Sequence, residues 1–193
     1  LLNLWLECKK AGNEDLPIFF VSTSKISFPG AGVAALGASD SNLAVLKEYF
    51  SYQTIGPDKL NQLRHLYFFK NYDGVMEQMK KHRRLIAPKF KAVIDKLESE
   101  LGGKGVARWT HPNGGYFISV DVLNGCAKRV VSLCKEAGVT LTGAGATFPY
   151  GKDPNDSNIR VAPTYPPVAE LQVAMDLFCI CVQLAAAEKL LNP

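Results

Sequence analysis

The stretch Pro17-Ile18-Phe19-Phe20-Val21-Ser22-Thr23-Ser24-Lys25-Ile26-Ser27-Phe28-Pro29-Gly30-Ala31-Gly32 decides how this chain is read. The apolar run through Val21 reads as a short buried strand. Three hydroxyl residues then lead to a lone Lys25, and the Pro- and Gly-containing segment behind it turns the chain. A long flexible amine needs no such setting to stay soluble. An amine attacks a carbonyl only when deprotonated, and burial or nearby positive charge favours that form. Flanking hydroxyls and backbone N–H groups suit a phosphate. Taken alone, the plainer reading is an exposed loop lysine.

On the N-terminal side, residues 1–12 read as a helix closed by Gly12. The chain opens on Leu1 without an initiator Met, as if a helix were already under way, and is expected to be a fragment of a longer protein. On the C-terminal side, residues 33–38 are small and apolar and read as the next strand. Asp40 or Ser41 reads as the N-cap of a helix through Tyr52, and Gly56-Pro57 opens a helix over 57–70. Asp73 caps a long pattern running to Leu101, with Met76, Met79, Ile86, Phe90, Val93, Ile94 and Leu97 near helical spacing. Pro88 is expected to kink or interrupt it.

Beyond Gly102-Gly103 the texture changes. Residues 105–109 and 116–121 read as strands around the turn Pro112-Asn113-Gly114-Gly115. Residues 126–137 read as a helix ended by Gly138, 139–141 as a short strand, and 143–156 as a loop. Asn158–Val161 reads as a strand, and 167–191 as a closing amphipathic helix. Residues 1–72 therefore look like α/β layers, 73–104 like a long connecting helix, and 105–193 like a separate α+β domain.

Composition excludes more than it assigns. The 193 residues are 47% hydrophobic and 21% charged with a net charge of +4, an ordinary globular balance. The basic cluster Lys80-Lys81-His82-Arg83-Arg84 lies in a helical pattern and reads as a solvated face, so no nucleic-acid partner is expected. The five cysteines match no metal framework and read as reduced thiols of a cytoplasmic protein. No run of 18 or more apolar residues and no signal peptide is seen, so no membrane association is expected. His65 and His82 lie on helices without metal-spaced partners, and no metal site is expected. His111 precedes a turn, and turn chemistry explains Asp153 and Asp156. Gly143-Ala144-Gly145-Ala146 opens no clear helix and carries little weight as a phosphate cradle. Asn61, Gln62 and Arg64 read as a polar helix face or a subunit contact.

Val21–Gly32 resembles the cofactor-lysine segment of fold-type I aminotransferases, enzymes dependent on pyridoxal 5'-phosphate (PLP). His111-Pro112-Asn113-Gly114-Gly115-Tyr116-Phe117 resembles the Pro-x-Gly-Gly-Tyr/Phe segment of that family's C-terminal domain. Ser157-Asn158-Ile159-Arg160-Val161-Ala162 resembles its Asn-x-Ile-Arg segment. The order and separations fit as well. Ser-Thr-Ser-Lys-Ile and Ile55–His65 (Ile-Gly-Pro-Asp-Lys-Leu-Asn-Gln-Leu-Arg-His) are similar to phrases of an aspartate-aminotransferase-like bacterial subgroup.

The resemblance covers the C-terminal half of a family member. It implies an α/β architecture: part of a PLP-transferase large domain (α/β/α) over 1–72, then an α+β small domain over 105–193. It implies that Lys25 forms the Schiff base with PLP and moves the proton, that Ser22 and Ser24 bind the phosphate, and that Arg160 clamps the substrate carboxylate. Arginine suits that clamp because its planar fork binds a carboxylate bidentately. Tyr150 and Tyr165, near Arg160 in sequence, are candidates to line the pocket. The resemblance further implies a homodimer transferring an amino group between a small amino acid and a 2-oxo acid, with aspartate and 2-oxoglutarate the leading pair.

The match has two gaps. Many relatives carry an Arg shortly after the lysine, where Gly32 and Val33 stand here. The acidic partner of the pyridine nitrogen and the ring-stacking group are expected from a preceding half, so this piece alone is expected to be inactive. Three rivals stay open: another PLP reaction on the same scaffold, such as a β-lyase or decarboxylase; an aminotransferase-like effector-binding domain of a transcription regulator; and a non-catalytic structural fragment.

Overall fold

The computed structural model describes residues 2–191. The elements in order are Leu4–Lys10 (α1), Phe19–Ser22 (β1), Ala34–Gly37 (β2), Asp40–Gln53 (α2), Lys59–Phe69 (α3), Tyr72–Leu101 (α4), Ala107–Trp109 (β3), Ile118–Val122 (β4), Ala127–Glu136 (α5), Asn158–Val161 (β5) and Val168–Leu191 (α6). A 3-10 turn at Pro149–Gly151 precedes β5. This is a mixed α/β chain. It forms two compact units, Leu1–His82 and Arg83–Pro193, whose boundary falls inside the long helix.

In the first unit β1 and β2 pair antiparallel, Phe19 opposite Gly37 and Ser22 opposite Ala34. The strand expected to be buried is not: Phe20 is 75% and Val21 62% exposed. A two-stranded ribbon cannot cover its own faces, and among the described residues of this unit only His65 and Phe69 are buried. The helix starts also differ from expectation. Ser39, not Asp40 or Ser41, caps α2 by accepting the Asn42 N–H. Asp58 caps α3, which leaves Pro57 outside the helix. Before α4, Asn71 Oδ1 accepts the Gly74 N–H at 3.0 Å, the role expected of Asp73. The cap residue keeps extended backbone, as at Ser39 (ψ 162°) and Asp58 (ψ 95°), so it stands just ahead of the helical repeat.

The second unit holds the core. β3, β4 and β5 form one antiparallel sheet in that order. Along β4, Ile118, Val120 and Val122 are buried while Ser119 and Asp121 are half-buried, the two-residue period of a one-sided sheet. One apolar cluster joins these residues to Val93, Leu97 and Leu101 of α4, Val130 and Cys134 of α5, and Leu171, Met175, Phe178 and Val182 of α6. Arg129 on α5 forks onto Glu188 of α6, with N–O distances of 2.7 and 2.8 Å. Lys96 of α4 meets Asp176 of α6 at 2.6 Å.

Three further expectations change here. Pro88 neither ends nor splits α4. Arg84 and Pro88 are both exposed residues, the setting in which a missing helix hydrogen bond costs least. Residues 139–141 form no strand: α5 closes with the Val139 N–H on Cys134 O at 2.8 Å, and Val139 and Leu141 pack on the core instead. α6 is not amphipathic, since Val173, Ile180 and Leu184 are exposed opposite its core residues. By length and composition α6 is apolar enough to cross a membrane, which the sequence reading did not anticipate.

Cys126, Cys134, Cys179 and Cys181 are buried and unpaired. Burial pushes the Cys134 and Cys179 thiols up to about 12, with Cys181 adding to the effect at Cys134. Little thiolate is therefore available for reaction at neutral pH. Iodoacetamide at pH 8, followed by peptide mass analysis, should leave Cys134 and Cys179 unlabelled in the native protein and label both after denaturation. Phe178→Ala should cost about 3–5 kcal/mol in a denaturant titration, because it empties a fully buried position.

Candidate functional site

Lys25 stands in the middle of a tight turn. The N–H groups of Ile26 and Ser27 both donate to Thr23 O at 2.8 Å. Lys25 is exposed. Beside it, the Ser22 and Ser24 hydroxyls lie 2.7 Å apart, and the Ser24 N–H donates to Ser22 Oγ at 3.1 Å. Gly32 closes this group. A Cβ on Gly32 would lie 2.5 Å from Ser24 Oγ and 3.0 Å from Ser24 N, so the position tolerates no side chain unless the serine moves.

The turn is fastened from behind. Val33 N–H donates to Thr23 Oγ1 at 2.9 Å, and Thr23 N–H to Val33 O at 2.9 Å. His65 Nε2 lies 3.0 Å from Thr23 Oγ1 and 2.7 Å from Ser27 Oγ. Asn61 Nδ2 donates to Ala31 O at 2.8 Å. These contacts were missed in the sequence. Their one signal was Asn61 and His65 a helical turn apart on α3, set aside as a polar helix face and a structural or surface histidine.

In the second unit Arg160 lies on β5 opposite Ser119. Its guanidinium carbon sits 4.5 Å above the Phe117 ring centroid. Its Nε is buried and has no hydrogen-bond partner among the described residues. A buried donor left unpaired is uncommon and marks a place where an acceptor is wanted. The strand is held firmly around it. The Asn158 amide donates to Ser119 Oγ at 2.8 Å and Asp121 Oδ1 at 2.7 Å, and its oxygen accepts from Thr147 Oγ1 at 2.6 Å. Asp153 Oδ2 accepts the N–H groups of Ser157 and Asn158, both at 2.8 Å. Tyr150 and Tyr165 are almost wholly exposed.

Comparison with known proteins fits this arrangement. The family description "Aspartate amino-transferase" matches residues 1–193. This chain belongs to that aminotransferase family. A Mycolicibacterium smegmatis protein named as a presumed aminotransferase is 54% identical over 182 residues, 94% of this chain and 42% of the relative. The aspartate aminotransferase of Corynebacterium glutamicum is 49% identical over the same shares. A crystal structure of an aspartate transaminase from that organism superposes with a TM-score of 0.91 at 47% identity, over 97% of this chain and 44% of the other. The chain therefore spans less than half the length of these aminotransferases. An α-aminoadipate aminotransferase of Thermus thermophilus, at 22% identity and a TM-score of 0.77, shares the fold.

Two outcomes follow from this geometry. Gly32→Ala should displace Ser24 and weaken any anion bound at the turn, read by phosphate titration of the apoprotein. Burial works against the charge on Asp153, but the N–H groups of Asn158, Ser157, Asn155 and Asp156 outweigh it and hold the carboxyl below its ordinary 3.8. Its stabilisation is thus present above pH 3.8 and lost as the pH falls through the depressed value. Urea midpoints measured across that acid range should fall more steeply for the native protein than for Asp153→Asn.

Proposed function

We propose that the protein containing this chain is a PLP-dependent aminotransferase that moves an amino group between a small amino acid and a 2-oxo acid, with aspartate and 2-oxoglutarate as the leading pair. The observation that carries this reading is Lys25 in its hydroxyl-lined turn, in a chain that belongs to the family over its whole length. The turn suits the phosphate of PLP: two hydroxyls lie side by side, and Gly32 lets the return segment pass close to Ser24. Residues 1–72 are read as part of the cofactor-binding domain, 73–104 as the connecting helix and 105–193 as the small domain. A cytoplasmic homodimer is the assembly this reading implies.

When bound, PLP supplies an electron sink for charge developing at the substrate α-carbon. Lys25 is the attachment point of the cofactor and afterwards holds and returns the α-proton at its Nζ. Ser22 Oγ and Ser24 Oγ donate to the phosphate, as does backbone of the turn. Arg160 binds the substrate α-carboxylate. Its unpaired Nε gives that anion a donor already stripped of water, and Phe117 fixes the plane of the guanidinium. Positioning of this kind aims the scissile C–H bond.

Recording the near-ultraviolet and visible spectrum of the full-length protein with PLP tests this directly. A cofactor band is expected that Lys25→Ala loses and that amino donors convert to a pyridoxamine-like band. A spectrum indifferent to Lys25 would overturn the assignment. Arg160→Lys should lower kcat/KM roughly 10- to 100-fold through a higher KM, the worth of charged hydrogen bonds of about 1.5–3 kcal/mol.

A further inference from the structure

We propose that His65 and Asn61 of α3 are positioning residues that fix the Lys25 turn by clamping both of its flanks; this rests on reading Lys25 as the cofactor lysine. His65 is 7% exposed, one of two buried residues described in its unit. Its Nδ1 lies 2.9 Å from Asn61 O. A carbonyl only accepts, so Nδ1 carries a hydrogen, and in that tautomer Nε2 is the acceptor. Two hydroxyls reach that nitrogen. Thr23 Oγ1 accepts the Val33 N–H, which leaves its own hydrogen for Nε2 at 3.0 Å. Ser27 Oγ lies 2.7 Å from Nε2 and 3.1 Å from Thr23 O, and its one hydrogen goes to the nearer Nε2. Thr23 and Ser27 lie two residues to either side of Lys25, so one buried nitrogen ties both ends of the turn that carries it.

Asn61 completes the clamp one helical turn earlier. Its Nδ2 donates to Ala31 O at 2.8 Å and lies 3.5 Å from Gly32 O. That holds the return segment whose Gly32 abuts Ser24. The same Asn61 fixes the tautomer of His65 through its backbone carbonyl. Phe28 packs edge-on to the imidazole at 5.5 Å, with Phe69 at 6.0 Å on the same ring, so the ring has little room to turn. The hydrogen bonds described for the turn thus run from Thr23, Ser27 and Ala31 to α3.

The test uses full-length protein with His65→Leu, His65→Gln, the pair Thr23→Val with Ser27→Ala, and Lys25→Ala. Three quantities are read: the PLP dissociation constant of the apoprotein by spectral titration, the pH midpoint of the visible cofactor band, and kcat and KM separately. His65→Leu should raise the PLP dissociation constant and lower kcat by roughly 10- to 100-fold, with KM for the amino donor nearly unchanged. It should also move the band midpoint, which a loss of general stability would not do. His65→Gln should recover most of the loss, because its amide oxygen can accept the same hydroxyls. The Thr23/Ser27 pair should reproduce the His65→Leu effects, and it decides the matter if His65→Leu does not fold. Folded clamp variants with unchanged PLP affinity and band midpoint, beside a Lys25→Ala protein that has lost the band, would overturn the clamp alone. A band that survives in Lys25→Ala would overturn the cofactor-lysine reading, and the clamp with it.

Discussion

The need to take one apolar helix out of water organises the second unit. α6 contributes Leu171, Met175, Phe178, Cys179 and Val182 to the core, and no single neighbour can cover so wide a face. The end of α4, all of α5 and the inner face of the three-stranded sheet are gathered around it. The sheet then obeys its two-residue period. With Ile159 and Val161 committed to the core, Arg160 between them must project to the opposite face of β5. The direction of the proposed carboxylate clamp is in this sense a consequence of packing. Asn158 and Asp153 make it rigid, since their hydrogen bonds lock the strand entry where the loop before β5 would otherwise be free.

In the first unit few of the described residues are buried within this chain, which spans less than half the length of its relatives, and Tyr52, Ile55 and Tyr67 lie open. Exposed apolar surface on this scale marks a place of interaction in folded proteins. What order the lysine turn has comes from hydrogen bonds: Thr23 to Val33, His65 to Thr23 and Ser27, Asn61 to Ala31. Such bonds are directional, so they can hold a short turn without a core beneath it. They are also individually modest, each worth about 1 kcal/mol net. That favours several of them converging on one buried group, as they do at His65.

Much of the architecture was legible because periodicity reports burial. The repeat through Val93 and Leu97 announced α4, and the alternation through Ile118 and Val120 announced β4. The family was legible in the lysine and arginine motifs, since each couples a strand to a turn of special composition. Where the reading slipped, the deciding factor was not local. Pro88 is tolerated because its surroundings are solvent. Residues 139–141 have strand-like composition but find no strand partner, and a strand exists only as a pair. The burial expected of Phe20 and Val21 depends on a covering layer that their own residues cannot supply. His65 was set aside because a lone histidine on a helix says nothing until Thr23 and Ser27 fold back onto it.

Lys25 and Arg160, each within its own unit, are prepared in opposite ways. Arg160 is partly stripped of water against Phe117 and left with an unpaired donor, so a carboxylate arriving there replaces no protein partner. The Lys25 turn carries no second cation within its own loop, where many relatives have an arginine. An arginine at Gly32 would need the volume that Ser24 Oγ occupies. An anion bound there meets neutral donors whose geometry is set by the turn itself. That makes anchoring of Thr23, Ser27 and the Ala31–Gly32 return more consequential here than where a nearby arginine supplies attraction regardless of fine placement. A polar clamp from α3 is the physical counterpart of the missing charge.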